Sequence, residues 1–387
     1  MAAAKRTPFA NVYWFPLAAL YGALILPWSV LGQLGLAWAP PGLQQGLGHA
    51  HEMLFGFAFA VVAGYVLGPR EKPALLSLIA LWLGARFTFL LWPASWPAAL
   101  FNAAFVLLLV YQVAPTYLRT AKKWRNKSIA FILLGLMLMV VLFHGFFLLH
   151  HPGLLYPVLL EAVLLLSALM FFMGGRMIAP AMAGHLQSQS RFLKDRVQPR
   201  FEGAVLIIMA LMLVSVALPF DKARWITGLL LLACALLALV RTLRWRIWHC
   251  LDRADLVALL AGYLWLQAGW LLVGLALLSG WPLTPMLHAI TVGALGTLTL
   301  SVMLRARQHR VLKDPNARPW FYLAAIGITL AALLRMTASS SDALMAAAFC
   351  WSLAYLCLLA MLLYLARCEK QGVMAGVRRK LKPAGGS

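Results

Sequence analysis

Twelve stretches of about twenty apolar residues, divided by short basic clusters, leave this chain little choice of fold. On that rule helices cross near 13–35, 50–68, 74–92, 97–118, 128–149, 154–174, 203–219, 223–241, 255–278, 286–304, 319–337 and 343–366. Pro and Gly mark the joints at Pro40-Pro41-Gly42, Pro93, Pro152-Gly153 and Pro282. A chain that is 63% hydrophobic and 11% charged has too few polar residues to cover a soluble core of this size. The expected fold is all-α: a polytopic helix bundle whose solvent is the lipid bilayer, one transmembrane domain with a basic tail from 367 to 387.

The net charge of +22 is spread among the joints rather than gathered into one patch, so nucleic acid is not the expected partner. Lys and Arg crowd the even-numbered loops: Arg70 and Lys72, Arg119 to Lys127, Arg176 to Arg200, Arg241 to Arg253, and Arg305 to Arg318. Odd-numbered loops carry almost none, with Lys222, Arg224 and Arg335 as exceptions. The positive-inside rule places the even loops and both termini in the cytoplasm of a bacterial inner membrane. Lys5 and Arg6 ahead of an apolar run mimic a signal peptide, but the run is too long for a cleaved h-region and reads as the first span. Five cysteines show neither CxxC nor CxxCH spacing and read as small buried hydrophobes.

Ionisable groups inside spans are expensive and mark candidate sites. His49, His51 and Glu52 open the second span, followed by a Gly56, Ala60, Gly64 stripe that admits a close helix or a flat macrocycle. Two residues apart on a regular helix is about 200°, so His49 and His51 do not readily share one metal. His288 lies at the outer end of the tenth span, at the depth of His51, and Arg305, Arg307 and His309 lie at its inner end. Facing imidazoles on two helices are how a b-type haem is held in a bundle. His144 ends the fifth span, where a hydrogen bond to a carbonyl competes with a second metal site using His150 or His151. Arg86 and Glu161 are intramembrane charges, and Arg86 is placed either to pair with Glu52 or to meet a haem propionate or other anionic ligand. His185, His249 and His309 read as solvated loop residues among cations.

The strings HAHEMLFGFAFAVVAG (49–64), GGRMIAP (174–180) and HAITVGALGTLTLSVMLRARQH (288–309) resemble the signature blocks of the NnrS family. That resemblance implies a haem- and copper-containing membrane protein of the bacterial nitric-oxide response. It implies haem b with His51 or His49 and His288 as first candidates for iron. His144, Arg176, Arg305 and His309 fall on or near family-like positions, and copper is the second metal it implies. A weaker likeness is to the catalytic subunit of haem–copper oxidases, also twelve spans with a haem between the second and tenth. Here the tenth span has one outer His, and the seventh has no His pair, so a complete binuclear site is not expected.

Two function classes compete with a haem protein that binds or turns over a small diatomic ligand such as nitric oxide, or passes electrons from quinol or a periplasmic donor. A twelve-span secondary transporter shares the layout, but would place its charges mid-membrane on broken helices. A scaffold for another respiratory complex is neither supported nor excluded by any motif.

Overall fold

The computed structural model describes residues 7–218, 221–312 and 318–381. Lys5 and Arg6, much of the basic loop at 313–317 and the end of the tail at 382–387 lie outside the described residues. The described chain is helical, with one isolated bridge between Phe9 and Pro69. Its helices are α1 (Asn11–Gln33), α2 (Gly46–Val66), α3 (Lys72–Leu91), α4 (Trp96–Thr120), α5 (Trp124–Leu148) and α6 (Leu155–Ser188). They continue as α7 (Pro199–Val216), α8 (Asp221–Leu243), α9 (Ala254–Ser279), α10 (Leu283–Val311), α11 (Arg318–Thr337) and α12 (Ser341–Leu381). All twelve are long and apolar enough to span a bilayer, and the chain is a multi-pass membrane protein.

Position in the bundle follows from burial. In their most apolar 18-residue stretch α2, α6, α9 and α10 bury 61–72% of residues, whereas the other eight bury 24–44%. The three sequence strings therefore lie on α2, α6 and α10, three of the four central helices. Around them α1 packs on α2 and α12, α4 bridges α3 and α5, and α9 touches α6, α8, α10 and α11. Leu83, Phe87, Leu100, Phe131, Leu211, Leu236 and Phe349 point outward and exposed, as expected of side chains solvated by acyl tails. Trp38, Trp92, Trp96 and Trp281, all at the odd-loop end, are also exposed and suit a belt at the headgroup level.

Local signals explain the ends. Ser95 caps α4 by accepting from the Ala98 amide at 3.3 Å, with Pro97 in the first turn where a missing N–H costs nothing. Gly280 closes α9 in the left-handed conformation at φ 77°.

The stretch after Arg176 differs from the expected loop. Helix α6 runs on to Ser188, 34 residues in all, or about 51 Å against a hydrocarbon core of about 30 Å. Ile178, Met182 and Leu186 recur every fourth residue and are buried, so this segment is an amphipathic extension longer than the hydrocarbon core requires. His185 rides on it, buried, with Nε2 2.9 Å from Asp252 rather than solvated.

Candidate functional site

Helix α2 begins with one and a half α-turns (Gly46–His51), widens to a π-helix over Glu52–Ala58, and returns to α-helix at Phe59. Helix α10 does the same: α to His288, π over Ala289–Ala294, then α from Leu295. Both π segments start immediately after a histidine, and π turns within α-helices are often found at functional sites. Glycines fit the widened turns to their neighbours. A Cβ on Gly56 would meet Arg86 Nη1 and Tyr21 Cε1 at 2.9 Å, and one on Gly293 the Trp265 ring at 2.6 Å. Gly64 closes on Phe15 and Trp14 of α1, so the Gly56–Gly64 stripe is occupied by helix packing. The Gly56 carbonyl accepts from Trp82 Nε1 at 3.0 Å.

As the 200° separation requires, His49 and His51 face different surroundings. His51 is fully buried, its ring stacked on Phe89 at 3.6 Å and flanked by Phe143 and Phe55. Its Nδ1 lies 2.8 Å from Glu52 Oε1, which also accepts from Arg86 Nη1 at 2.7 Å, while Tyr21 donates to Oε2. Arg86 in turn donates to Asn102 Oδ1, and Asn102 Nδ2 to the Ala98 carbonyl at 2.8 Å. With the proton of a neutral imidazole held on Nδ1 by the carboxylate, His51 Nε2 presents a lone pair. It points at His144 Nε2, 3.1 Å away, with the two rings perpendicular. His144 is therefore turned toward His51 on α2, whereas His150 and His151 are exposed beyond the end of α5. Among the described residues no three His, Cys, Asp or Glu side chains converge as a metal-binding group.

His49 borders a cavity of about 500 Å³ that it shares with His288 and Arg335. The rest of the wall is largely apolar, including Leu54, Leu159, Val163, Val292 and Leu295, with Gln33, Gln45 and Thr284 at polar points. That size and mix suit a bound organic ligand. His288 Nδ1 is 2.7 Å from the Thr284 carbonyl, which fixes the proton there and leaves Nε2 as acceptor. His49 Nδ1 is buried with no partner, a polar atom that native interiors seldom leave unmet. A narrower apolar gap of about 90 Å³, bordered by Ala58, Val62, Leu169 and Leu298, shares Leu295 with the cavity.

The structure thus brings together His51, Glu52, Arg86 and His144, and separately His49 and His288. Arg305 lies toward the other end of α10, in an ion pair with buried Asp255, which Arg253 also engages through Nε at 2.9 Å. Glu161 is half-buried on α6. Tyr21, Asn102 and Trp82 were not legible as site residues, because single polar groups on apolar spans carry no spacing signal. Arg335 had one: it is among the few cations on an odd loop.

Such a structure defines a twelve-span α-helical membrane protein with a buried histidine–carboxylate–arginine cluster beside a ligand-sized cavity. The family model for NnrS protein matches residues 12–367, and the chain belongs to the NnrS family. No curated protein matches the chain. No solved structure matches it, so the oxidase likeness gains no support from a shared fold.

Proposed function

We propose that this chain is a haem-binding inner-membrane protein of nitric-oxide metabolism or nitrosative-stress resistance, with haem b in the His49–His288 cavity. The observation that carries the reading is the cavity itself: two imidazoles, one tautomer fixed by Thr284 and the other with an orphaned buried nitrogen, in an apolar wall with one arginine. His49 and His288 would hold the iron, and Arg335 would sit beside the anionic propionates. A haem held by two imidazoles carries electrons, whereas ligand chemistry needs an open coordination position. The donor chemistry of the second cluster fits copper: 3.1 Å between His51 and His144 Nε2 lets one cation with bonds of about 2.0 Å reach both. Glu52 orients His51 and strengthens it as a donor, and Arg86 with Tyr21 holds Glu52.

An uncharged diatomic such as nitric oxide suits the small apolar gap that shares Leu295 with the cavity. The positive-inside pattern puts both clusters at the periplasmic end, within reach of quinol or a periplasmic electron donor.

The test is the reduced-minus-oxidised spectrum and metal content of the purified protein and its histidine variants. His49→Ala and His288→Ala should each abolish the b-type bands, while His51→Ala and His144→Ala keep the bands and lose copper. A colourless, metal-free wild type from haem-replete cells sinks the haem and copper readings and makes the transporter the leading one.

A further inference from the structure

At the even-loop end, across the membrane from the histidines, the middle string GGRMIAP helps to wall a cup of about 540 Å³. Lys123, Arg125, Arg176 and Arg196 line it against a single carboxylate, Glu202. Arg125 is buried and consumed by its ion pair with Glu202. Lys123, Arg176 and Arg196 form no ion pair with any described carboxylate, and Arg176 donates only to Asn126 while lying 4.4 Å over the Phe172 ring.

Behind the wall stands a second, independent observation. Arg241 is 4% exposed and meets no carboxylate. Its Nη1 donates to Tyr263 Oη at 3.0 Å, its guanidinium lies over Phe171 and Trp245, and its buried Nε has no partner. Gly175 separates it from the cup, and a Cβ there would collide with the guanidinium. A buried cation without a counter-charge is costly. An anion in the cup would face it across a glycine backbone with no side chain between them.

A solvated positive-inside face explains exposed lysines, but not a concave site backed by a buried, uncompensated arginine. We propose that this cup binds the phosphate of an anionic phospholipid headgroup. Arginines suit phosphate because their planar fork donates two bonds at once, and basic pockets between spans on the cytoplasmic side are a known form of headgroup site. Apolar neighbours of the lining cations argue for lipid over a soluble phosphate: Trp124, between Lys123 and Arg125, is 55% exposed, and Val197, which lines the cup next to Arg196, is 66% exposed. These apolar side chains fit the level where acyl chains begin.

The experiment titrates the full-length protein in neutral detergent with phosphatidylglycerol, phosphatidylcholine or inorganic phosphate, reading thermal unfolding and the lipids retained in native mass spectra. Wild type should be stabilised and retain phosphatidylglycerol but not phosphatidylcholine. Arg176→Gln with Arg196→Gln, both exposed and so harmless to folding, should weaken apparent affinity about thirtyfold. Lys72→Gln with Arg246→Gln, cations on other even loops, should leave it unchanged. Equal loss in that control pair overturns the site in favour of a general basic face. Full stabilisation by inorganic phosphate alone overturns the lipid as ligand, and stabilisation by neither phosphate source overturns the site altogether.

Discussion

Glu52 accepts hydrogen bonds from His51, Arg86 and Tyr21, none of them near it in sequence except His51. A buried ion pair is weak evidence of stability, yet breaking one partner leaves an uncompensated charge costing about 3–5 kcal/mol. Glu52→Ala and Arg86→Ala should therefore each lower the unfolding midpoint strongly, and the double variant should fall far short of the sum. A thermal-denaturation cycle on the four proteins measures that coupling, and strict additivity would show that the pair is not a unit. The sequence offered the Glu52–Arg86 pair as one of two readings, because charge inside a span is rare and their depths agree. It could not show Asn102 or Tyr21 completing the chain, since a lone Asn or Tyr on an apolar helix has many bland uses. Nor could it choose between His49 and His51 for the cavity; the 200° rule separated them without saying which way each faced.

At the scale of the element, the entry to α2 is held by glycine. A Cβ on Gly48 would run into the Gly42 carbonyl, and one on Gly42 would lie 2.5 Å from the Phe89 carbonyl. Gly46, two residues earlier, faces open space. Gly48→Ala should displace the first turn of α2, lowering the unfolding midpoint and disturbing any haem spectrum, while Gly46→Ala changes neither. Matching behaviour of the two variants would refute this packing account. The helices themselves were largely legible, because lipid imposes length and apolarity on each span. Their ends were less so. Hydropathy falls where the bilayer stops, but α6 continues as a protein-facing amphipathic helix, and only the every-fourth-residue spacing of Ile178, Met182 and Leu186 betrays it. The π turns left no trace in composition.

For the whole molecule, the three strings that carry the family resemblance lie on central helices, and the two faces of the bundle divide the chemistry. The His49–His288 and His51–His144 pairs lie at the odd-loop end, and the cup lined by Lys123, Arg125, Arg176 and Arg196 at the even-loop end. The charge pattern predicts which of those faces meets the cytoplasm. Alkaline phosphatase fused in the loop near Trp38 or Trp281 should be active, and fused near Arg70 or Lys123 inactive. The reverse pattern would put the histidines in the cytoplasm and remove the periplasmic donor. Twelve spans and their alternation were readable from sequence because every loop contributes to one sum; which helices lie in the middle was not, because every span is apolar.

The widened turns in α2 and α10 have a consequence for how such a chain can vary. Each residue advances an α-helix by about 100°, so one extra residue in a single turn rephases everything beyond it. On α2 the half carrying His49 and His51 and the half packed on α1 thus keep independent clocks, and α10 repeats the arrangement. Removing one residue between Glu52 and Ala58 would swing the histidines by about a quarter turn relative to the packed half, with no change in any side chain's chemistry. Length, at these two places, is as much a part of the site as the identity of the histidines.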